Sequence, residues 1–448
     1  MASTYLQRTL GTPTSSRIWT FSAWIKRTIL YSTQHIFSLD NGSQRDAFSF
    51  DSDDGLRLYF NGSATGYADL STNRVFQDTS AWYHLVLAVD TTQGTAADRV
   101  KLYINGTQYT WDETTVYGDQ NYDTFNASGN TFRIGRDRTA ANYFDGLMSH
   151  VHFCDGTQLA PTVFGSTDST TGEWKINTSP SFTPGNNGFT VLKDGNTITD
   201  QSANSNDFSL GGGTLSSTVD CPSNVYSTWN YLSRSAASGI QNGGWGHGAT
   251  YIATETAANH RSFGTTLAFP GTGKFYAEFK IGNLGSFIAI GIMEAEAANK
   301  ILSQTDTGSF SNSSVGYSYR NNGYKENGGV TATYGNTYTS YDYIGVAYNN
   351  GALWFSKNGT WQNSATISEI AAGTTTNAAF TGISTTKDYH FMFRGNNDSM
   401  IELNAGNGWF RTTEVGSPNN PSSGDTAAKF KYAVPTAFQP LSTKGLNS

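Results

Sequence analysis

Charge is what this sequence has least of. Asp, Glu, Lys and Arg make up 14% of its 448 residues, against about 25% in an ordinary soluble protein. Positive charge is the scarcer kind: 28 Lys and Arg face 35 Asp and Glu, for a net charge of −7. Nucleic acid is therefore excluded as the main partner, because neutralising phosphates takes clustered basic side chains. Long apolar runs are missing too. A spanning helix needs about 18 such residues or more, so no membrane insertion is expected. The opening Met1-Ala2-Ser3-Thr4-Tyr5-Leu6-Gln7-Arg8 lacks the apolar stretch of a signal peptide. Cysteine occurs twice, at Cys154 and Cys221, too rarely for a disulfide scaffold. The pair reads as two free thiols, or as one bridge tying a later connector to the first domain. Without an export signal, triplets such as Asn61-Gly62-Ser63 and Asn105-Gly106-Thr107 read as turns rather than glycan acceptors.

What is present is aromatic and glycine-rich. Phe, Trp and Tyr reach 14% and glycine supplies 48 positions. Such a chain can bury a large core, and disorder is excluded. Its surface must be built from uncharged polar groups. The length suggests two or three domains.

Helical periodicity is nearly absent and period-two alternation replaces it. In Ala81-Trp82-Tyr83-His84-Leu85-Val86-Leu87-Ala88-Val89, residues Tyr83, Leu85, Leu87 and Val89 share one face. Residues 99–104 run into Asn105-Gly106, whose left-handed backbone preference predicts a type I′ hairpin. This first block closes near residue 160. Residues 161–224 are rich in Pro and Gly, yet Trp174, Phe182, Phe189 and Phe208 need burial. They predict a connector folded onto the first domain. A second β block covers 225–415, with turns at Asn349-Asn350-Gly351 and Asn358-Gly359. One short helix is expected near 297–302, and residues 416–448 read as a tail. The fold class is all-β: two antiparallel β-sandwiches in tandem with an ordered connector.

Several segments carry a resemblance. Trp19-Thr20-Phe21-Ser22-Ala23-Trp24-Ile25-Lys26, Ala81-Trp82-Tyr83-His84-Leu85-Val86, Val100-Lys101-Leu102-Tyr103-Ile104-Asn105-Gly106, Ile134-Gly135-Arg136 and Tyr143-Phe144-Asp145-Gly146 are the first set. With them, residues 1–160 resemble the laminin-G-like jelly rolls of the concanavalin A lectin/glucanase superfamily. Gly273-Lys274-Phe275-Tyr276-Ala277-Glu278-Phe279, Asp342-Tyr343-Ile344-Gly345-Val346-Ala347 and Gly351-Ala352-Leu353-Trp354-Phe355-Ser356-Lys357-Asn358-Gly359 are the second. With them, residues 225–415 resemble a SPRY domain, itself a concanavalin A-like sandwich. The opening Tyr5-Leu6-Gln7-Arg8-Thr9 and the closing Pro435-Thr436-Ala437-Phe438-Gln439-Pro440-Leu441 make the whole similar to virion proteins of marine tailed bacteriophages. These resemblances imply binding of glycans or protein surfaces, sometimes through calcium.

Glycoside hydrolysis needs an acid and a second carboxylate flanking the bond. A Glu-X-Asp-X-X-Glu arrangement is absent. Asp51-Ser52-Asp53-Asp54-Gly55 reads as a turn and Glu294-Ala295-Glu296 as a solvated loop or helix start. No catalytic residue is expected, and the chain reads as a non-enzyme. His150 and His152 share a strand face, read as polar and outward. Asp40, Asp137 and Asp145 lie at strand ends where the laminin-G resemblance implies calcium; as turn formers they need none. For glycan contact the useful groups are exposed aromatics beside amides and carboxylates. Trp111, Tyr117, Asp119 and Tyr122 form one such cluster. Tyr319, Asn321 and Tyr324 form a second, with Trp361 nearby. Any of these rings could equally pack under its own loop or at a subunit contact.

The function that follows is a non-enzymatic virion surface protein of tail-fibre or adhesin type, binding host-surface glycan or protein through sandwich loops. A capsid decoration or head-fibre protein is one alternative, and a cell-surface or secreted lectin another. The expected partners are other virion proteins and copies of itself, as a trimer, after assembly in the host cytoplasm.

Overall fold

The structure is a computed structural model. It describes residues 3–60, 67–112, 116–195, 197–234, 240–246, 248–256, 260–302, 310 and 313–448. Asn61-Gly62-Ser63 lies outside the described residues. Two compact units divide the chain, Met1–Ser217 and Thr218–Ser448.

Unit 1 is built from β1 (Tyr5–Thr9), β2 (Ile18–Arg27), β3 (Gln34–Asp40), β4 (Arg45–Phe50), β5 (Gly55–Phe60), β6 (Ala68–Val75), β7 (Tyr83–Asp90), β8 (Val100–Ile104), β9 (Thr107–Tyr109), β10 (Thr131–Ile134), β11 (Gly146–Asp155), β12 (Gly165–Thr167), β13 (Trp174–Ile176), β14 (Phe189–Val191) and β15 (Ser209–Gly212). A seven-stranded sheet runs β15-β1-β10-β3-β4-β5-β6, and a six-stranded sheet runs β14-β11-β2-β7-β8-β9. The pairings within both are antiparallel. Strand alternation aims Trp19, Phe21, Ala23 and Ile25 of β2 at the core, with Tyr83, Leu85, Leu87 and Val89 of β7 beside them. Phe37, Phe48, Leu58 and Phe132 meet them from the other sheet. Each Phe, Leu, Ile or Val side chain among them contributes about 1.5–3 kcal/mol by leaving water.

The outer face of the six-stranded sheet is also covered. Thr20, Ser22, Trp24 and Lys26 of β2, which point away from the core, are buried. Segment 161–203 supplies the cover. Phe164 stacks on His152 with ring centroids 5.4 Å apart, and Trp174 stacks on His84 at 5.9 Å. His152 is therefore 2% exposed, not part of a polar outer face. A second layer of chain lies over it, which strand alternation alone does not reveal. The hairpin at Asn105-Gly106 has φ of 47° and 79°, both left-handed. A Cβ at Gly106 would sit 2.3 Å from the Trp174 ring, so cover and turn are matched.

Unit 2 continues with β16 (Trp229–Arg234), β17 (Ile240–Gly246), β18 (Tyr251–Thr254), β19 (Arg261–Thr265), β20 (Phe269–Pro270), β21 (Lys274–Asn283), β22 (Phe287–Glu294), β23 (Gly316–Arg320), β24 (Tyr324–Asn327), β25 (Val330–Thr333), β26 (Tyr343–Asn349), β27 (Ala352–Lys357), β28 (Thr360–Trp361), β29 (Asp388–Asn396) and β30 (Met400–Asn404). An eight-stranded sheet runs β16-β19-β29-β22-β23-β24-β25, with β20 added on β29; a seven-stranded sheet runs β17-β18-β30-β21-β26-β27-β28. Phe279, Ile290, Val346, Phe355, Phe393 and Leu403 fill the space between them. The chain is all-β, with two antiparallel sandwiches.

The expected helix is present as Ala295–Leu302. A second helix, Ile367–Ala372, starts from a capping box in which Thr366 and Glu369 each bond the other's backbone N–H. Residues 416–448 run back over unit 2, with Phe430, Phe438 and Leu441 fully buried. The carboxylate of Glu278 on β21 accepts the Lys431 and Tyr432 N–H groups, both at 2.8 Å. Both cysteines are free thiols.

Candidate functional site

A concavity lies in unit 1, beside β11 and β14 and the segment that covers them. It encloses about 240 Å³. His152 and Thr190 line the strand side. Phe182 and Pro184 form an apolar wall, and Lys193 and Gln201 stand among the polar groups. His152 pairs with Thr190 across the two strands, and its Nδ1 lies 2.9 Å from the Thr190 hydroxyl. Phe182 closes on the imidazole edge-on at 5.8 Å. Behind it Asp200, buried, accepts the Thr190 N–H and the Ser202 hydroxyl, both at 2.8 Å. Gln201 donates to Asp194 at 2.7 Å and accepts the Lys193 N–H. The wall is thus held from behind.

Burial, with help from His150, His84 and Lys193, drives His152 down to about 3. The imidazole is neutral and forms the buried floor of the wall, its Nδ1 held by the Thr190 hydroxyl. An aromatic ring, a hydroxyl, an amide and one ammonium offer stacking, directional hydrogen bonds and weak attraction to a negative group. The volume lies below the 300–1,000 Å³ of drug-sized sites and suits one sugar ring or one side chain. The sequence places His152 on a strand face read as polar and outward, which its burial overturns; Phe182, Lys193 and Gln201 lie in loops, where alternation says nothing of them.

The clusters singled out in the sequence fare differently. Trp111 is 6% exposed, and its indole N–H donates to the Val100 carbonyl at 3.0 Å. Tyr122 stacks on Phe60 at 5.4 Å and donates to Asp46 at 3.1 Å. Tyr117 packs, half-buried, on the same core. Asp119 stands exposed beside them. These rings anchor the 111–125 connection to the sandwich and present no stacking platform. Tyr319 is fully buried among Tyr334, Tyr338 and Phe355. Asn321 accepts the Ile288 N–H at 3.2 Å. Trp361 leans on Tyr276 at 6.2 Å. Tyr324 alone of that group is exposed, at 40%.

The three aspartates placed for calcium are occupied by protein. Asp40 is ion-paired with Arg133 and caps the Gly42 N–H. Asp137 pairs with Arg45 at 2.8 Å and accepts the Arg138 N–H. Asp145 accepts the Thr28 hydroxyl at 2.7 Å. No group of three or more His, Cys, Asp or Glu side chains gathers among the described residues. A cation there would have to displace two arginines.

Residues 2–164 match the laminin G family described as the concanavalin A-like lectin/glucanases superfamily. Unit 1 has a lectin/glucanase-type fold. Among solved structures, the chain is similar to the SPRY domain of human HERC1, at 13% identity and a TM-score of 0.27, over 39% of this chain and 96% of that one. It is also similar to the heptameric SAP-like pentraxin of Limulus polyphemus, at 21% identity and a TM-score of 0.27, over 36% and 72% of the two chains. A third likeness is to domain 4 of AbnA, a GH43 extracellular arabinanase from Geobacillus stearothermophilus solved with arabinotriose, at 23% identity and a TM-score of 0.26, over 33% and 65%. No curated protein matches the sequence.

Proposed function

We propose that this chain is a non-enzymatic surface protein of a tailed-bacteriophage particle, of tail-fibre or adhesin type, that binds host-surface glycan. The crevice between β11, β14 and their cover carries the reading. It joins an aromatic wall to neutral hydrogen-bonding groups on a lectin-type sandwich. The particle setting and assembly as a trimer rest on the sequence resemblance of the opening and closing segments, and the SPRY-like character of unit 2 on that of residues 273–279, 342–347 and 351–359.

Binding rather than hydrolysis is supported by the state of the carboxylates. Asp54 pairs with Arg27 at 3.0 Å in full burial. Asp53 caps the Gly55 N–H. Glu294 pairs with Lys387 at 3.2 Å. Carboxylates committed in this way are poor acids and nucleophiles. A second reading, a capsid decoration protein, is favoured by β25. It is an edge strand with all four residues exposed, Val330 at 74%, and no charge to deter pairing with another chain.

The test is direct. Purified chain is applied to host-cell polysaccharide, with Phe182→Ala as the crevice variant. Saturable binding, weakened about tenfold in the variant as expected for a lost stacking contact, is the expected result. Sustained release of reducing ends would overturn the non-enzyme reading. Immunogold labelling of particles locates the chain: tail label supports the adhesin, head label the decoration protein, and no label removes the virion reading.

A further inference from the structure

The crevice of unit 1 is lined in two unlike ways. Pro180, Phe182 and Pro184 fall at alternate positions of the covering segment, and all three line it. The polar lining comes from a later stretch, with Lys193, Gln201 and Ser202, and from Thr190 on β14. Ser179, exposed, adds one hydroxyl. A pyranose ring is divided in the same manner, with C–H groups on its faces and polar groups round its edge.

Most of the polar lining is already engaged. The Thr190 hydroxyl is held by His152 Nδ1 at 2.9 Å. Gln201 donates to Asp194 at 2.7 Å and accepts the Lys193 N–H at 3.2 Å. The Ser202 hydroxyl donates to Asp200. The Lys193 ammonium is the exception. It has no hydrogen-bond or ion-pair partner among the described residues, and its side chain is half-buried rather than sealed.

No acid competes for it inside the crevice. Among the described residues that line the space, none is Asp or Glu. Asp194, next in the chain, takes the Gln201 amide instead. Asp200 is buried behind the wall and accepts the Thr190, Ser202 and Asn206 N–H groups and the Ser202 hydroxyl, all at 2.8 Å. The imidazoles beside it stay neutral. Burial, and then Lys193, lowers His150, and Lys193 is among the neighbours that add to the effect of burial on His152. The root of the lysine is also fixed. Leu192 turns off β14 with a left-handed φ of 56°, its N–H donates to the Thr197 carbonyl at 2.9 Å, and its own carbonyl takes the His150 N–H at 3.0 Å.

A free ammonium among engaged neutral groups selects for charge. We infer that Lys193 makes the crevice specific for an anionic sugar, whose ring packs on Pro180, Phe182 and Pro184 while its carboxylate or sulfate accepts from the ammonium. A space of about 240 Å³ admits one ring, so ring and anion belong to the same glycan residue. The inference rests on the glycan-binding reading of this crevice and adds the class of sugar.

The experiment titrates the full chain, at low salt to limit screening, with galacturonate and galactose 6-sulfate against galactose, and with the corresponding glucose series. The expected result is that at least one charged sugar binds with a Kd of about 1 mM or tighter, about fivefold tighter than its neutral parent. Comparing the uronate with the sulfate tells which anion is preferred. Lys193→Met keeps the stem and removes the charge; it should abolish the preference and leave the neutral parent's affinity unchanged. Lys193→Arg should retain the preference. If charged and neutral sugars bind alike, or if the preference survives in Lys193→Met, the inference is overturned. Loss of neutral-sugar binding in Phe182→Ala then shows that the glycan reading still stands. If no sugar binds by about 10 mM, the inference falls, and binding of host polysaccharide to the wild type and to Phe182→Ala decides whether the glycan reading falls with it.

Discussion

The indole N–H of Trp174 donates to Nδ1 of His84 at 2.9 Å. The donation fixes the imidazole tautomer, so Nε2 carries the proton and points to the Ser22 hydroxyl 2.9 Å away. A residue of the covering segment thus completes a buried polar chain that starts on β2. Trp174→Phe keeps the ring and deletes the donor. It should cost about 1–3 kcal/mol, the price of a buried acceptor left unmatched. Urea denaturation followed by unit 1 probes checks this; an unchanged midpoint would mean that water replaces the indole.

Acid should weaken unit 1. Burial holds His84 and His152 near 3 against an ordinary 6.5. Below 6.5 the unfolded chain binds protons that the folded unit refuses. Stability is complete above 6.5 and falls as pH drops toward 3, by about 1.4 kcal/mol per pH unit for each histidine. His152→Gln should flatten the slope between pH 6.5 and 4 by one proton. A parallel slope in the variant would show that His152 is protonated in the fold.

Glu278 predicts the opposite sign. Full burial lifts its carboxyl to about 7 from 4.5, against the pull of the Lys431 and Tyr432 N–H groups. The folded state holds that proton more tightly than the unfolded chain. Its contribution is complete below 4.5 and is lost as pH rises to 7, about 3 kcal/mol in all. Glu278→Gln, which cannot titrate, should lose this declining trend. Equilibrium unfolding of both proteins from pH 4.5 to 7.5 decides the matter, and identical curves would refute it.

Thiol chemistry should separate the two cysteines. Cys154 is 1% exposed, its Sγ–H bonds the Thr183 carbonyl, and burial raises it to about 11. Cys221 is half-buried. Iodoacetamide at pH 8 should add one label to the native protein, at Cys221, and two after denaturation. Native labelling at Cys154 would show that the cover over β11 opens.

Calcium should leave thermal stability where it is. Asp40 and Asp137 already face Arg133 and Arg45. A cation that bound the folded state would raise Tm by mass action. Melting curves in EDTA and in millimolar calcium should superimpose; a rise with calcium would restore Asp40, Asp137 and Asp145 as ligands.

Much of the architecture was legible because it is local. Asn358-Gly359 adopts φ of 49° and 81°, nearly repeating Asn105-Gly106, as its residues demand. The face of β7 followed from alternation. Thr366-Ile367-Ser368-Glu369 spells a capping box, yet the short helix behind it carries too little periodicity to notice. What was not legible depends on register and layering. Asp40 meets Arg133 only because β3 and β10 are paired. Trp111 and Tyr319 read as loop aromatics because alternation names a face without saying what covers it. The row of Arg320, Ala289 and Arg394 requires three strands brought side by side from positions over a hundred residues apart.

The pairing of β1 with β15 has a consequence in time. β1 lies between β10 and β15, and Thr4 and Thr214, 210 positions apart, exchange hydrogen bonds where that edge ends. A ribosome delivers the chain from its beginning. At about 5–20 residues per second, the opening strand waits roughly 10–40 seconds for its last neighbour. During that interval one edge of a hydrophobic sheet stands open in a crowded cell. The edge that β15 closes is thus the last of that sheet to gain its neighbour during synthesis.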